Sequence, residues 1–148
     1  MIRRLIDRIF RLEEINGRER CPTYLYRWTL AKFGPYSLYL HHFVRDDWSL
    51  DLHDHPKRFI SIGLKGGYTE ITPKGRTTFR SPWVRTFPAE HVHRLQMARG
   101  WLGEIRDCWT LVITLKAVRP WGFWHLGNFI PWREYVGSAA ADERKSCD

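Results

Sequence analysis

The feature that most constrains the fold is a succession of short segments rich in aromatic and β-branched residues, which runs from Tyr24 to Val118. Turn-forming pairs separate these segments, and Gly66-Gly67 is typical of a β-hairpin. Many short strands joined by turns are typical of a sandwich or a barrel. We therefore predict an all-β domain. The predicted strands cover residues 24–30, 37–44, 48–53, 58–64, 68–72, 77–80, 84–87, 92–97 and 109–118.

The two ends of the chain depart from this pattern. Apolar residues recur at helical spacing from Ile2 to Leu12, which predicts an amphipathic helix over about residues 2–15 that packs outside the barrel. Asn16-Gly17 follows and is typical of a helix C-terminal cap. From about residue 137 to 148, small residues precede charged ones, which indicates a flexible tail. We expect a single domain over residues 1–148, with the barrel at about residues 24–135.

The composition narrows the classes of partner. The net charge is +8 at pH 7, but the basic residues are spread along the chain, and dispersed charge usually solvates a surface. Nucleic-acid binding is therefore an alternative that the sequence does not favour. No apolar run approaches the length of a membrane span. Aromatic residues make up 15% of the chain, which indicates a core or a cavity walled by large rings.

The cysteines bear on the compartment. Cys21, Cys108 and Cys147 are odd in number, far apart and without Cys-x-x-Cys spacing. This pattern argues against a disulfide framework and against a cysteine-type zinc site. It is typical of a reducing compartment, and the first residues are too charged for a signal peptide. We expect a cytoplasmic protein.

Two pairs of histidines carry the functional information. His53 and His55 are two residues apart, so on an extended strand both imidazoles point to the same side and can bind one ion. His91 and His93 repeat this spacing about forty residues later. A metal site in a sheet protein needs ligands from separate strands that converge, and two such pairs provide them.

With these motifs the chain resembles the cupin superfamily. The first cupin motif is matched by His53-Asp54-His55 followed by the Gly66-Gly67 turn, and the second by residues 88–93, with Glu90 in place of a glycine. The chain looks like a small, poorly characterised bacterial or phage-type cupin over roughly residues 37–135. The resemblance implies a jelly-roll β-barrel in which His53, His55 and His93 bind a metal ion.

The chain departs from the cupin pattern at one position. Cupins commonly carry a glutamate four or five residues after the second histidine, where this sequence has Phe59 and Ile60. Three arrangements are open. The site is a three-His facial triad with free positions, as in thiol dioxygenases of the superfamily; or His91 is a fourth ligand; or Asp51 or Glu70 reaches the ion from a neighbouring strand. We favour the first, with His91 nearby.

Residues around the predicted metal are candidates for substrate contact. Strand alternation places Phe59 and Ser61 on the histidine side. Glu70, Arg58 and Tyr68 are the candidate catalytic residues: the glutamate as general acid or base, the arginine as a partner for a carboxylate or phosphate. Arg94 and Glu90 are further polar candidates. Because His41 and His42 are adjacent, at most one of them faces the barrel interior.

Three functions fit these features. The first is a metal-dependent enzyme, a dioxygenase-like protein with Fe(II), that acts on a small, anionic substrate. With Zn, Ni or Mn the same ligands would serve an isomerase or a hydrolase. The second is a non-catalytic module that binds a sugar or metabolite, its histidine cluster vestigial, and the third is an accessory protein that acts on nucleic acid. A homodimer is a further expectation, because small cupins often pair.

Overall fold

The computed structural model describes residues 2–147. Met1 and Asp148, which the predicted domain includes, lie outside the described residues. Within residues 2–147 the chain forms twelve strands and three helices. They are α1 (Ile2–Ile9), β1 (Arg11–Ile15), β2 (Leu25–Phe33), β3 (Tyr36–Phe43), β4 (Leu52–His53), β5 (Lys57–Lys65), β6 (Gly67–Thr72), β7 (Gly75–Arg80), β8 (Trp83–Phe87), β9 (Arg94–Met97), β10 (Cys108–Ala117), β11 (Gly122–His125), β12 (Asn128–Pro131), α2 (Trp132–Tyr135) and α3 (Ala139–Glu143).

Antiparallel sheets form the body of the molecule. The largest sheet has six strands in the order β1-β2-β3-β10-β5-β8, and two smaller sheets have the orders β12-β11-β4 and β7-β6-β9. Residues of all three sheets line one internal cavity. The order of strands along each sheet differs from their order along the chain, as in a jelly roll. The predicted all-β jelly-roll barrel with an N-terminal helix is confirmed.

Strand alternation sets which side chains face the cavity. Along β10, Thr110, Val112 and Thr114 line it, while Leu111 and Ile113 between them lie on the outer face. Along β5, Phe59 and Ser61 line it, as predicted. Two buried clusters complete the interior. They consist of Cys21, Trp48, Phe123, Tyr135, Val136 and Ala141 on one side and Leu25, Phe43, Tyr68, Leu95, Met97 and Cys108 on the other.

The helix predicted over residues 2–15 is too long. It ends at Ile9, and residues 11–15 form β1, which pairs along its whole length with the edge of the large sheet, from Arg11 opposite Thr29 to Ile15 opposite Leu25. An edge strand that offers unpaired backbone groups outweighs a local helical pattern of about one turn. Asn16-Gly17 forms a turn between β1 and β2, not a helix cap.

The segment predicted as a flexible tail contains a helix and two further attachments to the rest of the chain. Residues 139–143 form α3, in which Ala141 is fully buried, and Ser146 N donates a hydrogen bond to Trp48 O at 2.6 Å. Cys147 forms a disulfide with Cys21 across a sequence separation of 126 residues. The prediction that the cysteines form no disulfide is therefore wrong, and the cysteines do not indicate a reducing compartment.

Other strand predictions differ from the structure in two places. The segment predicted at 48–53 shortens to β4, because Asp46 and Asp47 bind β9 through their side chains: their carboxylates accept hydrogen bonds from Met97 N and Leu95 N, both at 2.7 Å. The hairpin β11–β12 is not predicted from the sequence. None of the helices in residues 2–147 has the length and apolarity that crossing a membrane requires.

Candidate metal centre

The two His-x-His segments are joined directly by backbone hydrogen bonds. His53 N donates to His93 O at 2.8 Å, and His93 N donates to His53 O at 2.9 Å, which forms an isolated antiparallel bridge. His55 N donates to Ala89 O at 3.0 Å. Segments forty residues apart in sequence therefore lie side by side, as the spacing of the two pairs predicts.

Three imidazoles converge at this bridge. One ligand nitrogen from each of His53, His55 and His93 lies within 4.8 Å of the other two, and Nε2 of His55 is 2.9 Å from Nε2 of His93. Nitrogens around one ion at a metal–nitrogen distance of about 2.1 Å are separated by roughly 3 Å. The separations therefore fit one metal ion.

The protonation state of these imidazoles suits a metal. Burial, helped by the neighbouring imidazoles, lowers the pKa of His55 well below its usual value and the pKa of His93 to about 4. Burial also lowers the pKa of His53, against the opposing effect of Asp47. Neutral imidazole is the form that binds metal ions, so the ligands need not lose a proton at neutral pH.

Glu70 fixes the orientation of His93. Its Oε1 atom lies 2.6 Å from His93 Nδ1 and 2.8 Å from His91 Nε2, and its Oε2 atom accepts a hydrogen bond from Arg85 Nη2 at 2.7 Å. Burial alone would raise the pKa of Glu70, but the hydrogen bonds from His91, His93 and Arg85 together lower it. An ionised Glu70 makes His93 Nδ1 the donor, which leaves the Nε2 lone pair available to an ion.

The structure places the candidate fourth ligands at different distances from the three histidines. Glu70, His91 and His93 form a second group whose ligand atoms lie within 4.8 Å of one another, but there Arg85 already neutralises the glutamate. Asp51 does not reach the centre. Its carboxylate accepts hydrogen bonds from Tyr135 Oη at 2.8 Å and Arg144 Nε at 3.0 Å and contacts His125.

The residue between the first two histidines has an anchoring role that was not predicted. Asp54 is fully buried, and its carboxylate accepts hydrogen bonds from Arg119 Nη1 at 2.6 Å, Gly122 N at 2.9 Å and Trp124 Nε1 at 3.2 Å. These bonds tie the histidine segment to β11. The sequence signal for this role was the position of Asp54 between the two histidines. Because successive side chains of a strand point to opposite faces, Asp54 points away from the side on which the histidines converge.

The centre opens into a cavity of about 590 Å³. Its walls are largely aromatic, with rings from Tyr24, Tyr39, Phe59, Phe87, Trp121 and Phe123. His53, His55 and His93 lie among the lining residues. A cavity of this size with a few polar groups among apolar walls fits a small organic ligand.

The predicted substrate-contact residues separate into two groups. Tyr68 lines the cavity, and its hydroxyl accepts a hydrogen bond from Arg85 Nη1 at 3.2 Å. Glu70 contacts the histidines as described. Arg58 is exposed and does not line the cavity, because it neighbours the inward-facing Phe59. Its predicted role in substrate contact therefore gains no support from its position.

Other predictions concern the remaining histidines. His41 is buried and lines the cavity, whereas His42 stacks on Trp109 at the opposite face with ring centres 4.0 Å apart. The expectation that only one of this pair faces the interior is confirmed.

Two arginines of the site, Arg85 and Arg27, were not predicted from the sequence. For Arg85 a signal was available, because it lies two residues before the inward-facing Phe87 on the same strand.

Comparison with known proteins adds structural likeness only. No family model matches the sequence, and no curated protein matches it. The polyketide cyclase RemF from Streptomyces resistomycificus is 15% identical, with a TM-score of 0.63 over 90% of this chain and 92% of that one. A cupin-superfamily sugar phosphate isomerase from Silicibacter pomeroyi is 11% identical, with a TM-score of 0.50 over 68% of this chain and 65% of that one. The structure of Fe(II) HppE is 8% identical, with a TM-score of 0.57 over 73% of this chain and 57% of that one. At identities this low, the structural likeness establishes a shared fold and nothing about function.

Proposed function

We propose that this chain, whose fold is that of the cupin superfamily, is an enzyme that works through one divalent metal ion bound by His53, His55 and His93. The observation that carries the proposal is the convergence of three neutral imidazoles at the wall of a ligand-sized cavity. Buried histidines whose pKa values are lowered together and that share a cavity are typical of functional sites.

The ligand set leaves room for a substrate. Three protein ligands do not complete the coordination of a first-row ion, and the unfilled positions are available to water or substrate. Glu70 holds His93 in its ligating orientation, and Arg85 holds Glu70. Supporting residues of this kind are as much part of a metal site as the ligands.

Fe(II) is the ion we favour. A face of three imidazoles with open positions suits it, and one similar protein, HppE, is an Fe(II) protein in its solved structure. A bound ion would supply oxygen chemistry as Fe(II), or polarise a substrate oxygen as Zn²⁺, Ni²⁺ or Mn²⁺, which serves an isomerase or a hydrolase. The identity of the ion thus selects the class of reaction.

Among the predicted catalytic residues Glu70, Arg58 and Tyr68, the tyrosine is the one that lines the cavity and can handle a proton. Burial raises its pKa to about 12, so its hydroxyl stays protonated at neutral pH. Tyr68 lines the cavity and its hydroxyl accepts a hydrogen bond from Arg85, so we assign this hydroxyl as a donor of a hydrogen bond or a proton to a substrate oxygen. Glu70 positions His93; its three hydrogen bonds hold it ionised, which does not suit it to act as the general acid.

Metal analysis of the purified protein tests the proposal. We expect about one equivalent of a first-row metal in the wild type. The His53→Ala/His93→Ala variant should lose it. His125→Gln, a histidine bonded to Asp51 outside the centre, is the matched control and should keep it.

Circular dichroism and thermal unfolding establish that each variant is folded. A folded wild type that takes up neither Fe(II) nor Zn²⁺ during anaerobic loading would refute the metal site. It would leave the cavity as that of a protein that binds a metabolite without reacting with it.

A further inference from the structure

A row of polar side chains crosses the wall of the large sheet inside the same cavity. Glu13 on β1 pairs with Arg27 on β2, Arg27 pairs with His41 on β3, and His41 pairs with Thr110 on β10. Directly paired residues of antiparallel strands point to the same face. All four residues line the cavity, so they form one continuous polar row, which we call the Arg27 row.

Thr110 supplies an unused hydrogen-bonding group in this row. The residue is only 1% exposed, and among residues 2–147 its Oγ1 atom has no hydrogen-bond partner. Buried hydroxyl groups almost always have a partner, because water is no longer available to them. An unpaired hydroxyl at a cavity wall indicates that a ligand atom forms the missing hydrogen bond.

Arg27 supplies a positive charge in the same row, on the other side of His41 from Thr110. Its Nε atom donates to Nε2 of His41 at 3.0 Å, and its guanidinium lies 5.2 Å from the ring centre of Tyr39. The only carboxylate paired with it among the described residues is Glu13, at 3.5 Å and with a side chain 59% exposed. An exposed pair of this kind is weak, so a ligand can replace it. Because His41 holds Nε and the Glu13 contact uses Nη1, displacement of Glu13 makes both terminal nitrogens available for a bidentate contact.

The other residues that line the cavity indicate the chemistry of the rest of that ligand. Tyr39, Phe43, Val112 and Phe59 line the wall around the Arg27 row, and the histidines of the metal centre line the same space. The row contains two charged groups, Arg27 and the exposed Glu13, beside a neutral imidazole and a neutral hydroxyl. A ligand that displaces Glu13 meets a single positive charge, which matches a monoanion better than a phosphate dianion. Aromatic walls favour a planar, apolar body.

We propose that Arg27 and Thr110 bind the carboxylate of an aromatic monocarboxylic acid whose ring lies in the apolar part of the cavity, within reach of the metal centre. The substrate class follows only if the proposed metal enzyme is correct, but the carboxylate site stands on the Arg27 row alone. His41 positions Arg27 and does not itself carry charge, because burial and then Arg27 lower the pKa of His41 well below its usual value.

Calorimetric titration with 2-naphthoate and its neutral analogue 2-naphthamide tests this site. We expect the metal-loaded wild type to bind the acid at least about tenfold more tightly than the amide, which is the contribution of one charge-assisted contact. Arg27→Gln should abolish this preference and leave amide binding unchanged. Thr110→Val, which keeps the shape of the side chain, should weaken acid binding about threefold or more. Arg80→Gln, which removes an exposed arginine of β7, is the control and should bind like the wild type.

The same titration of the metal-free His53→Ala/His93→Ala variant separates this proposal from the proposed function. Retention of an Arg27-dependent preference there supports the carboxylate site, whatever the metal analysis shows. A preference that disappears with the histidines and survives Arg27→Gln would place the carboxylate on the metal and overturn the proposal. Failure of the folded wild type to bind 2-naphthoate at millimolar concentration would overturn it as well.

Discussion

His93 Nδ1 lies 2.6 Å from Glu70 Oε1, and both side chains are buried. Because Glu70 is also bonded to Arg85 and His91, the carboxylate is held from three directions. The contact sets the tautomer of His93 and turns its Nε2 atom toward Nε2 of His55, 2.9 Å away. In the proposed site, one buried glutamate thereby orients an imidazole ligand and is not itself one of the three proposed ligands.

Replacement of Glu70 should weaken metal binding without removing a ligand. In Glu70→Gln the side chain keeps its shape but loses its charge, so we expect metal affinity to fall by roughly 10- to 100-fold. Competition with a chelator of known affinity measures the change. Glu90→Gln, an exposed glutamate near the same turn, is the control. Equal affinities in both variants would show that Glu70 does not support the centre.

The Asp54 anchor should be important for stability. In Asp54→Ala the carboxylate that accepts hydrogen bonds from Arg119, Gly122 and Trp124 is lost, and a partly buried arginine loses its counter-charge. We expect the free energy of unfolding to fall by about 3 kcal/mol, measured by urea denaturation. Asp142→Ala, which removes an exposed partner of Arg20, should cost less than about 1 kcal/mol. A cost for Asp54→Ala as small as for the control would contradict the anchoring role.

Stability of the metal-free protein should fall in mild acid. Burial, with a contribution from Arg27, lowers the pKa of His41 in the folded state, whereas an unfolded chain protonates histidine near pH 6.5, a typical value for peptides. The unfolded state thus binds the proton first, so the stability contribution is full above about pH 6.5 and is lost as the pH falls below it. The pKa values of four other histidines are lowered in the same direction: His42, His53, His55 and His93.

Urea denaturation of the metal-free protein at pH 8, 7, 6 and 5 measures this dependence. His41→Gln removes one of the contributing groups, so its stability should decline less steeply between pH 7 and pH 5 than that of the wild type. Parallel curves for the two proteins would show that His41 takes up no proton on unfolding in this range.

The Cys21–Cys147 disulfide should contribute to the free energy of unfolding. It closes a loop across a sequence separation of 126 residues and holds the C-terminal segment, which is also hydrogen-bonded to residues 48–50, against the turn between β1 and β2. We expect Cys21→Ser/Cys147→Ser to lower the free energy of unfolding by about 2–5 kcal/mol. A reductant should lower the stability of the wild type to a similar degree and leave the double variant unchanged. A wild type whose stability does not respond to reductant, and whose mass shows three free thiols, would contradict the pairing.

Local patterns in the sequence were sufficient for much of the fold and for the centre of the site. Alternation of aromatic and β-branched residues placed the strands, and it gave the inward direction of Phe59 and Ser61. The spacing of His53 with His55 placed two imidazoles on one side. Such patterns are reliable because a strand has a period of two residues whatever it pairs with.

Other features depend on which segments meet in space, and no local pattern encodes that. Residues 11–15 form a strand because they pair with β2 at the edge of the large sheet, although the apolar residues of this region recur at helical spacing. The same holds for the pairing of Cys21 with Cys147 and for the placement of Glu70 beside His93.

The sequence by itself determined the strands, the all-β class and the histidines able to bind a metal, since these follow from periodicity and residue chemistry. Only the tertiary structure decided that Arg85 supports Glu70 and that Arg27, His41 and Thr110 stand in one row. The physical reason is strand register. It brings together residues from distant parts of the chain and fixes which of them share a buried face, where water no longer competes for their charges and hydrogen bonds.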